Sequence, residues 1–344
     1  MQELTAAQPI LHAKSLAVVD GAPVVVHGAS QAQGSFTVFG TARIGGNGKL
    51  VAEYAERVGA RLRVQGYHGG WTGIGHAPAG TGSAAETLRA FITQSAQGTF
   101  AVDSQDRFVG RALREHGSYR RAEIARAAAL VSPDDTILVV GAHVGSIALP
   151  LARQCRHLVA IEANPWTCRL LRCNVLLNDA DNVEVHHFAA ADRAGEVRFV
   201  MNRSNSGGSK VYPLVPQPEY FDDDPDIVTV PCDRIDDRLG RDDFALVFMD
   251  AEGSEYAAIR GMPRILAAAR HLVVEFLPHH LDNVAGIAPE DFADALSPFF
   301  ATLHVPSLGQ THPRAAFRAV LRQLYDAGRG DGGLVFSKAT TPEA

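Results

Sequence analysis

The chain has 344 residues, 46% of them hydrophobic and 20% charged, with a formal net charge of −6. That composition describes a folded protein with a large core and excludes a disordered segment. The acidic balance and the scatter of Lys and Arg argue against a nucleic-acid partner, and no apolar run reaches the roughly 18 residues of a membrane helix. The opening MQELTAAQPILHAKSLAVV has no basic stretch ahead of an apolar one, so a cytoplasmic setting is expected. Cys155, Cys168, Cys173 and Cys232 show no C-x-x-C spacing, which speaks against a zinc site or a disulfide framework.

Residues 1–95 are glycine-rich, with short strand-like runs (APVVVHG, SFTVFG, ARLRVQGY) and one helical stretch, KLVAEYAERVG. They are read as a small accessory domain, β-rich or α/β. GTARIGGNGKL is no phosphate-binding loop, because Arg43 stands where the first glycine belongs and Leu50 replaces the magnesium-binding Ser or Thr.

Residues 96–344 are read as a second domain, in which strands and helices alternate from about Arg120 onward. RRAEIARAAALV has helical period, TILVV (Thr136–Val140) is a β-branched strand, and the helix ALPLARQC should start only near Ile147 or Ala148, which keeps Pro150 in its first turn. HLVAIE is a second strand, PWTCRLLRCNVLLND a long helix opened by Pro165, and VEVHHFAA a third strand. FALVFMD, HLVVEF, ATLHVP and GLVFSK supply four more. Such alternation implies a mainly parallel sheet covered on both faces. Residues 195–235, with NRSNSGGSK and the acidic PQPEYFDDDPD, interrupt it as a flap or hairpin arm, with Gly207 and Gly208 as hinges.

In such a sheet, ligands bind beyond the carboxyl ends of the strands. Gly141 and Gly145 follow the first strand in GAHVG, and Glu162 ends the second, about 20 residues on, where a carboxylate accepts from a ribose diol. The dinucleotide pattern G-x-G-x-x-G fails, with His143 and Ser146 at its third and sixth positions. G-x-x-x-G suits S-adenosyl-L-methionine, which has no pyrophosphate to cradle. Asp192 follows the third strand, where it could accept from an adenine amino group. FMDAEGSE sets Asp250, Glu252 and Glu255 after the fourth, and VVEFLPHH sets Glu275, His279 and His280 at the fifth.

From about Gly98 to Lys338, the ordered set GTFAVDSQDRFVGRALREHGSYRRAEI, GAHVG, IEANP, NSGGSKV, VTVPCDRIDDRL, MDAEGSEYAAIRGM and LVVEF resembles FkbM-type S-adenosylmethionine-dependent methyltransferases. The resemblance implies a Rossmann-like, seven-stranded class I methyltransferase sheet. It also implies methyl transfer, usually to oxygen, onto a small molecule or glycan. On this reading Gly141, Ala142, His143, Gly145, Glu162, Ala163, Asn164, Asp192 and Asp250 form the cofactor site. Asp250 and Glu252 stand at the acceptor side as base or orienting group, with His279 or His280 the lesser candidate. No metal is expected, although Asp250, Glu252 and Glu275 could hold magnesium as a variant. Two positions depart from the family: Val139 replaces an acidic residue two before the first glycine, and His143 replaces an Asn. The alternative is a methyltransferase-fold binding or scaffolding module that has lost turnover. Acceptor identity and homo-oligomerisation stay open.

Overall fold

The structure, a computed structural model, describes residues 90–339 and five strands before them: Ala13–Val19, Ala22–Gly28, Ser35–Val38, Leu62–Tyr67 and Gly70–Gly75. The helix expected over residues 49–59 lies outside the described residues. The chain divides into two compact units, Met1–Tyr119 with Arg169–Asp181, and Arg120–Cys168 with Asn182–Ala344. The expected domain boundary near residue 95 falls inside a hairpin of the first unit, Ala90–Ser95 with Gly98–Asp103.

That hairpin ends a five-stranded antiparallel sheet ordered Ser35–Val38, Leu62–Tyr67, Gly70–Gly75, Ala90–Ser95, Gly98–Asp103. Ala13–Val19 and Ala22–Gly28 form a separate hairpin. Two asparagines one helical turn apart serve the last strand. Asn174 accepts from the Ala101 N–H at 2.6 Å and donates to its carbonyl at 3.0 Å, and Asn178 does the same for Thr99 at 3.0 and 2.7 Å. Side-chain amides thus satisfy backbone groups that a further strand would otherwise pair.

The second unit holds the alternating elements. Its main sheet contains β1 (Thr136–Val140), β2 (His157–Glu162), β3 (Val183–His187), β4 (Leu246–Met249), β5 (His271–Phe276), β6 (Thr302–Val305), β7 (Gln310–Pro313) and β8 (Asp331–Ser337). Their order is β3-β2-β1-β4-β5-β8-β6-β7. The first five run parallel, β8 is antiparallel to β5 and β6, and β7 is a hairpin partner of β6 on the edge. The seven strands read from the sequence are present. The eighth, β7, is a short polar segment, QTHP, with no apolar run to betray it.

β1 and β4 are buried at every residue, as continuous apolar runs require when helices cover both faces. The helices are α1 (Arg121–Ala128), α2 (Ala148–Ala152), α3 (Pro165–Leu177), α4 (Ile235–Leu239), α5 (Glu255–Arg260), α6 (Pro263–Ala268), α7 (Pro289–Leu296) and α8 (Phe317–Asp326), of which α3 passes from the second unit into the first at Arg169. α2 starts at Ala148, where Pro150 sits in the first turn.

VEVHHFAA is not one strand. The chain leaves the main sheet after His187, and Ala189–Ala190 joins a second sheet with Asp226–Asp233, Gly195–Met201 and Lys210–Val211. The expected hairpin arm is therefore a four-stranded sheet with its own small core of Ala189, Phe199, Val230 and Cys232. Among the described residues, no helix is long and apolar enough to cross a membrane.

Candidate functional site

β1 ends in a loop bent by Gly141 (φ +79°) and Gly145 (φ +86°). A Cβ on Gly141 would stand 1.6 Å from the backbone oxygen of Asp250, just past β4. Glycine is thus required where β1 and β4 part at their carboxyl ends. His143, between the glycines, also holds a positive φ of +51°. Its backbone N–H donates to Glu162 Oε2 at 2.6 Å, and its Nε2 lies 2.8 Å from Ser206 Oγ.

Glu162 is 6% exposed. Its Oε1 accepts from the Asn164 N–H at 2.8 Å and the Thr167 hydroxyl at 2.9 Å. A carboxylate offers about four acceptor positions, so three are filled from within the chain. A ribose diol expected to bond twice finds one position. Asn164 caps α3, its Oδ1 accepting from the Trp166 and Thr167 N–H groups at 2.9 and 3.4 Å. Its Nδ2 donates to Ser209 Oγ at 3.2 Å. Ser206 and Ser209 belong to the insert, which is therefore tied to both loops of the expected cofactor half.

These elements surround an open cleft of about 510 Å³ including its mouth. Of the expected cofactor residues, Gly141, His143, Glu162, Ala163 and Asp250 line it. Ala142, Gly145 and Asn164 are buried beside it and do not. Asp192 does not line it. Its carboxylate is 39% exposed beside Arg193 at 3.6 Å, and Phe188, Ala189 and Ala190 line the cleft at that strand end instead. The chain switches sheets at Phe188, which carries Asp192 beyond the wall. Ser206, Gly207, Ser209 and Val211 of the insert form the opposite side. Val139, at the family's acidic position, is 1% exposed in the core.

Asp250 and Glu252 line the end of the cleft after β4. The turn DAEGSE that carries them has Glu252 at φ +50° and Gly253 at φ +99°, where a Cβ would meet Val284 at 2.6 Å. Glu255 clasps this turn, accepting from the Ala251 N–H at 2.7 Å and the Gly253 N–H at 2.9 Å. Its part is structural, more than the dipole complement a first-turn acid usually provides.

Two cations that sequence reasoning missed neutralise part of this end. Arg120, at the start of α1, places Nη1 2.5 Å from Asp250 Oδ2 and Nη2 3.5 Å from Glu275 Oε1. Lys210, only 5% exposed on the insert, has Nζ 3.3 Å from Glu252 Oε2, 3.4 Å from His280 Nε2 and 4.7 Å from the Tyr220 ring centre. Both lie in stretches singled out by the family pattern, but a lysine on a polar glycine-rich segment gives no sign that it is buried.

Burial pushes the Glu252 carboxyl up to about 7 against the pull of Lys210, and burial also raises Glu255 to about 7. Glu275 is raised well above the ordinary carboxylate range, by burial first and then by Asp250 and Glu252. Of the two candidate histidines, His279 is exposed, and the one that meets the carboxylates is His280. It is 3% exposed and held neutral, its pKa lowered to about 2 by burial and Lys210.

Residues 140–305 match the family model of the methyltransferase FkbM domain. No curated protein matches the chain. Among solved structures, the chain is similar to a methyltransferase FkbM from Methylobacillus flagellatus, at 16% identity and a TM-score of 0.36. That alignment covers 60% of this chain and 44% of the other, so the chain spans less than half of that relative's length. A TehB-like SAM-dependent methyltransferase from Corynebacterium glutamicum aligns at 12% identity and a TM-score of 0.38, over 67% and 94% of the two chains. TYW2 from M. jannaschii, solved in complex with AdoMet, aligns at 14% identity and a TM-score of 0.31, over 59% and 68%. Residues 140–305 of this chain thus match the methyltransferase FkbM domain, and their strands lie in a mainly parallel, Rossmann-like sheet.

Proposed function

We propose that the chain transfers a methyl group from S-adenosylmethionine to a hydroxyl of a small molecule or glycan. The observation that carries this reading is the two-ended cleft, with the Gly141 loop and Glu162 on one side and Asp250 with Glu252 at the end of β4. The cofactor half fits its group in two respects. Glycine keeps the β1 loop clear of side-chain bulk, and Glu162 retains one acceptor position. When bound, S-adenosylmethionine supplies a methyl group on a sulfonium, open to in-line attack by a nucleophile.

The chain's own residues do the rest. The loop from Gly141 to Gly145 and the capped start of α3 hold Glu162 to orient a ribose. Arg120 engages Asp250 Oδ2, which leaves Oδ1 to accept a hydrogen bond from the acceptor hydroxyl and take its proton as oxygen attacks. Holding that hydroxyl in place supplies the entropic part of the rate, several kcal/mol in well-oriented cases. The insert excludes water from the cleft. Because Ser206 and Ser209 bond His143 and Asn164, deleting residues 204–222 should weaken cofactor binding as well as abolish turnover.

The test is calorimetric titration with S-adenosylmethionine and S-adenosylhomocysteine, then an acceptor screen with wild type and Asp250→Asn. Binding of both nucleosides, with turnover lost and binding kept in Asp250→Asn, supports the reading. Failure of wild type to bind either nucleoside overturns it and favours the binding-module alternative, in which Val139 marks a site that has lost its ligand.

A further inference from the structure

Behind Glu252 lies a cluster that methyl transfer leaves unused. Glu275 is the last residue but one of β5, and His280 ends the short helical turn that follows, Pro278–His280. They are 5% and 3% exposed. Glu275 Oε2 and His280 Nδ1 are buried atoms with no hydrogen-bond partner, and they face each other at 3.9 Å. Such a gap is too long for a hydrogen bond, and two unpartnered polar atoms cost a fold about 1–3 kcal/mol each. One donor atom from each of Glu252, Glu275 and His280 lies within 4.8 Å of the other two. Asp250, Glu252, Glu255 and Glu275 come together here, with Arg120 and Lys210 as the basic side chains paired to them.

We propose that Glu252, Glu275 and His280 form a binding site for one divalent transition cation, of the Mn²⁺ or Zn²⁺ kind. The donor set decides the class, since one imidazole with two carboxylates suits such ions better than Mg²⁺, which prefers all-oxygen surroundings. Ligand atoms about 2.0–2.2 Å from a tetrahedral ion stand roughly 3.4 Å apart, so Glu275 and His280 must close from 3.9 Å by about half an ångström, and Glu252, whose ligand atom lies within 4.8 Å of theirs, by up to about 1.4 Å. Lys210 lies on the Nε2 side of the imidazole and shares Glu252. It is the resident cation that an incoming ion must displace or repel. Seated there, the ion adjoins the acceptor end of the cleft, though its binding does not depend on methyl transfer.

The test is Mn²⁺ titration of the chelator-stripped full chain, followed by electron paramagnetic resonance without nucleoside or acceptor. The expected result is one saturable site with nitrogen coupling from imidazole, weakened about tenfold or more in Glu275→Gln and in His280→Gln. Lys210→Met, which removes the competing charge, should tighten it. Zn²⁺ should displace the Mn²⁺, and Mg²⁺ at the same concentration should not. Absence of saturable binding, absence of imidazole coupling in the wild type, or binding indifferent to both substitutions overturns the site. Should Glu275→Gln fail to fold, His280→Gln and the wild-type coupling decide the matter alone.

Discussion

The Cα of Gly141 faces the backbone oxygen of Asp250 so closely that a methyl group there would stand 1.6 Å from it. Two adjacent parallel strands, β1 and β4, therefore part at a point that admits hydrogen and nothing larger. Gly141→Ala should destabilise the second unit by roughly 3 kcal/mol or more, combining positive-φ strain with the displacement of β4. Gly240→Ala is the control, with φ +64° and open space around it, and should cost only about 1–2 kcal/mol. Urea unfolding of the two variants checks the difference, and equal costs would refute the steric account.

Glu162→Gln retains the shape of the side chain but turns an amide donor toward one of three donors, the N–H groups of His143 and Asn164 or the Thr167 hydroxyl. A loss of about 2–3 kcal/mol in stability is expected from one charge-assisted hydrogen bond. Thr167→Ala removes a single bond from the same carboxylate and should cost about 1 kcal/mol. If Glu162 also holds the ribose, Glu162→Gln should weaken S-adenosylhomocysteine binding about tenfold or more beyond what Thr167→Ala does, as calorimetry will show.

Arg120 bridges Asp250 and Glu275. Arg120→Met leaves the Asp250 carboxylate without its cation in a poorly solvated place and should cost roughly 3 kcal/mol at neutral pH. Adding Asp250→Asn should restore part of that loss, because the orphaned charge is gone. A double-mutant cycle measured by denaturation tests the coupling, and strict additivity would show that the pair does not interact.

His271 opens β5 with Nδ1 2.9 Å from Ser337 Oγ, and burial, aided by Arg270, lowers its pKa below the usual 6.5. Below pH 6.5 the unfolded chain takes up a proton that the folded chain resists. Stability should therefore fall as pH drops through that window, by at most about 1.4 kcal/mol per pH unit from this residue. His271→Gln should flatten that part of the stability-against-pH curve. An unchanged curve would place the acid sensitivity elsewhere.

Asn174, fully buried, makes both backbone hydrogen bonds to Ala101. Asn174→Ala leaves an N–H and a carbonyl of the strand Gly98–Asp103 without their partner. A cost of about 2–4 kcal/mol is expected, with faster amide exchange at Ala101. Protection at Ala101 equal to wild type would contradict this.

Sequence alone determined the alternation of strands and helices in the second unit, because continuous apolar runs such as TILVV and LVFM admit only a sheet covered on both faces. It also placed Gly141, Glu162, Asp250 and Glu252 at strand ends, where ligands gather in such folds. Local signals stopped there. VEVHHFAA reads as a single strand, and only the competition between two sheets splits it at Phe188 and moves Asp192 away from the cleft. His279 and His280 are neighbours of one type, and only the packing of the helical turn after β5 exposes one and buries the other. Arg120 and Lys210 reach the carboxylates from positions 130 and 42 residues away in the chain. Periodicity reports which face of an element is buried; which charges meet inside is decided when distant elements pack and ion pairs must offset desolvation.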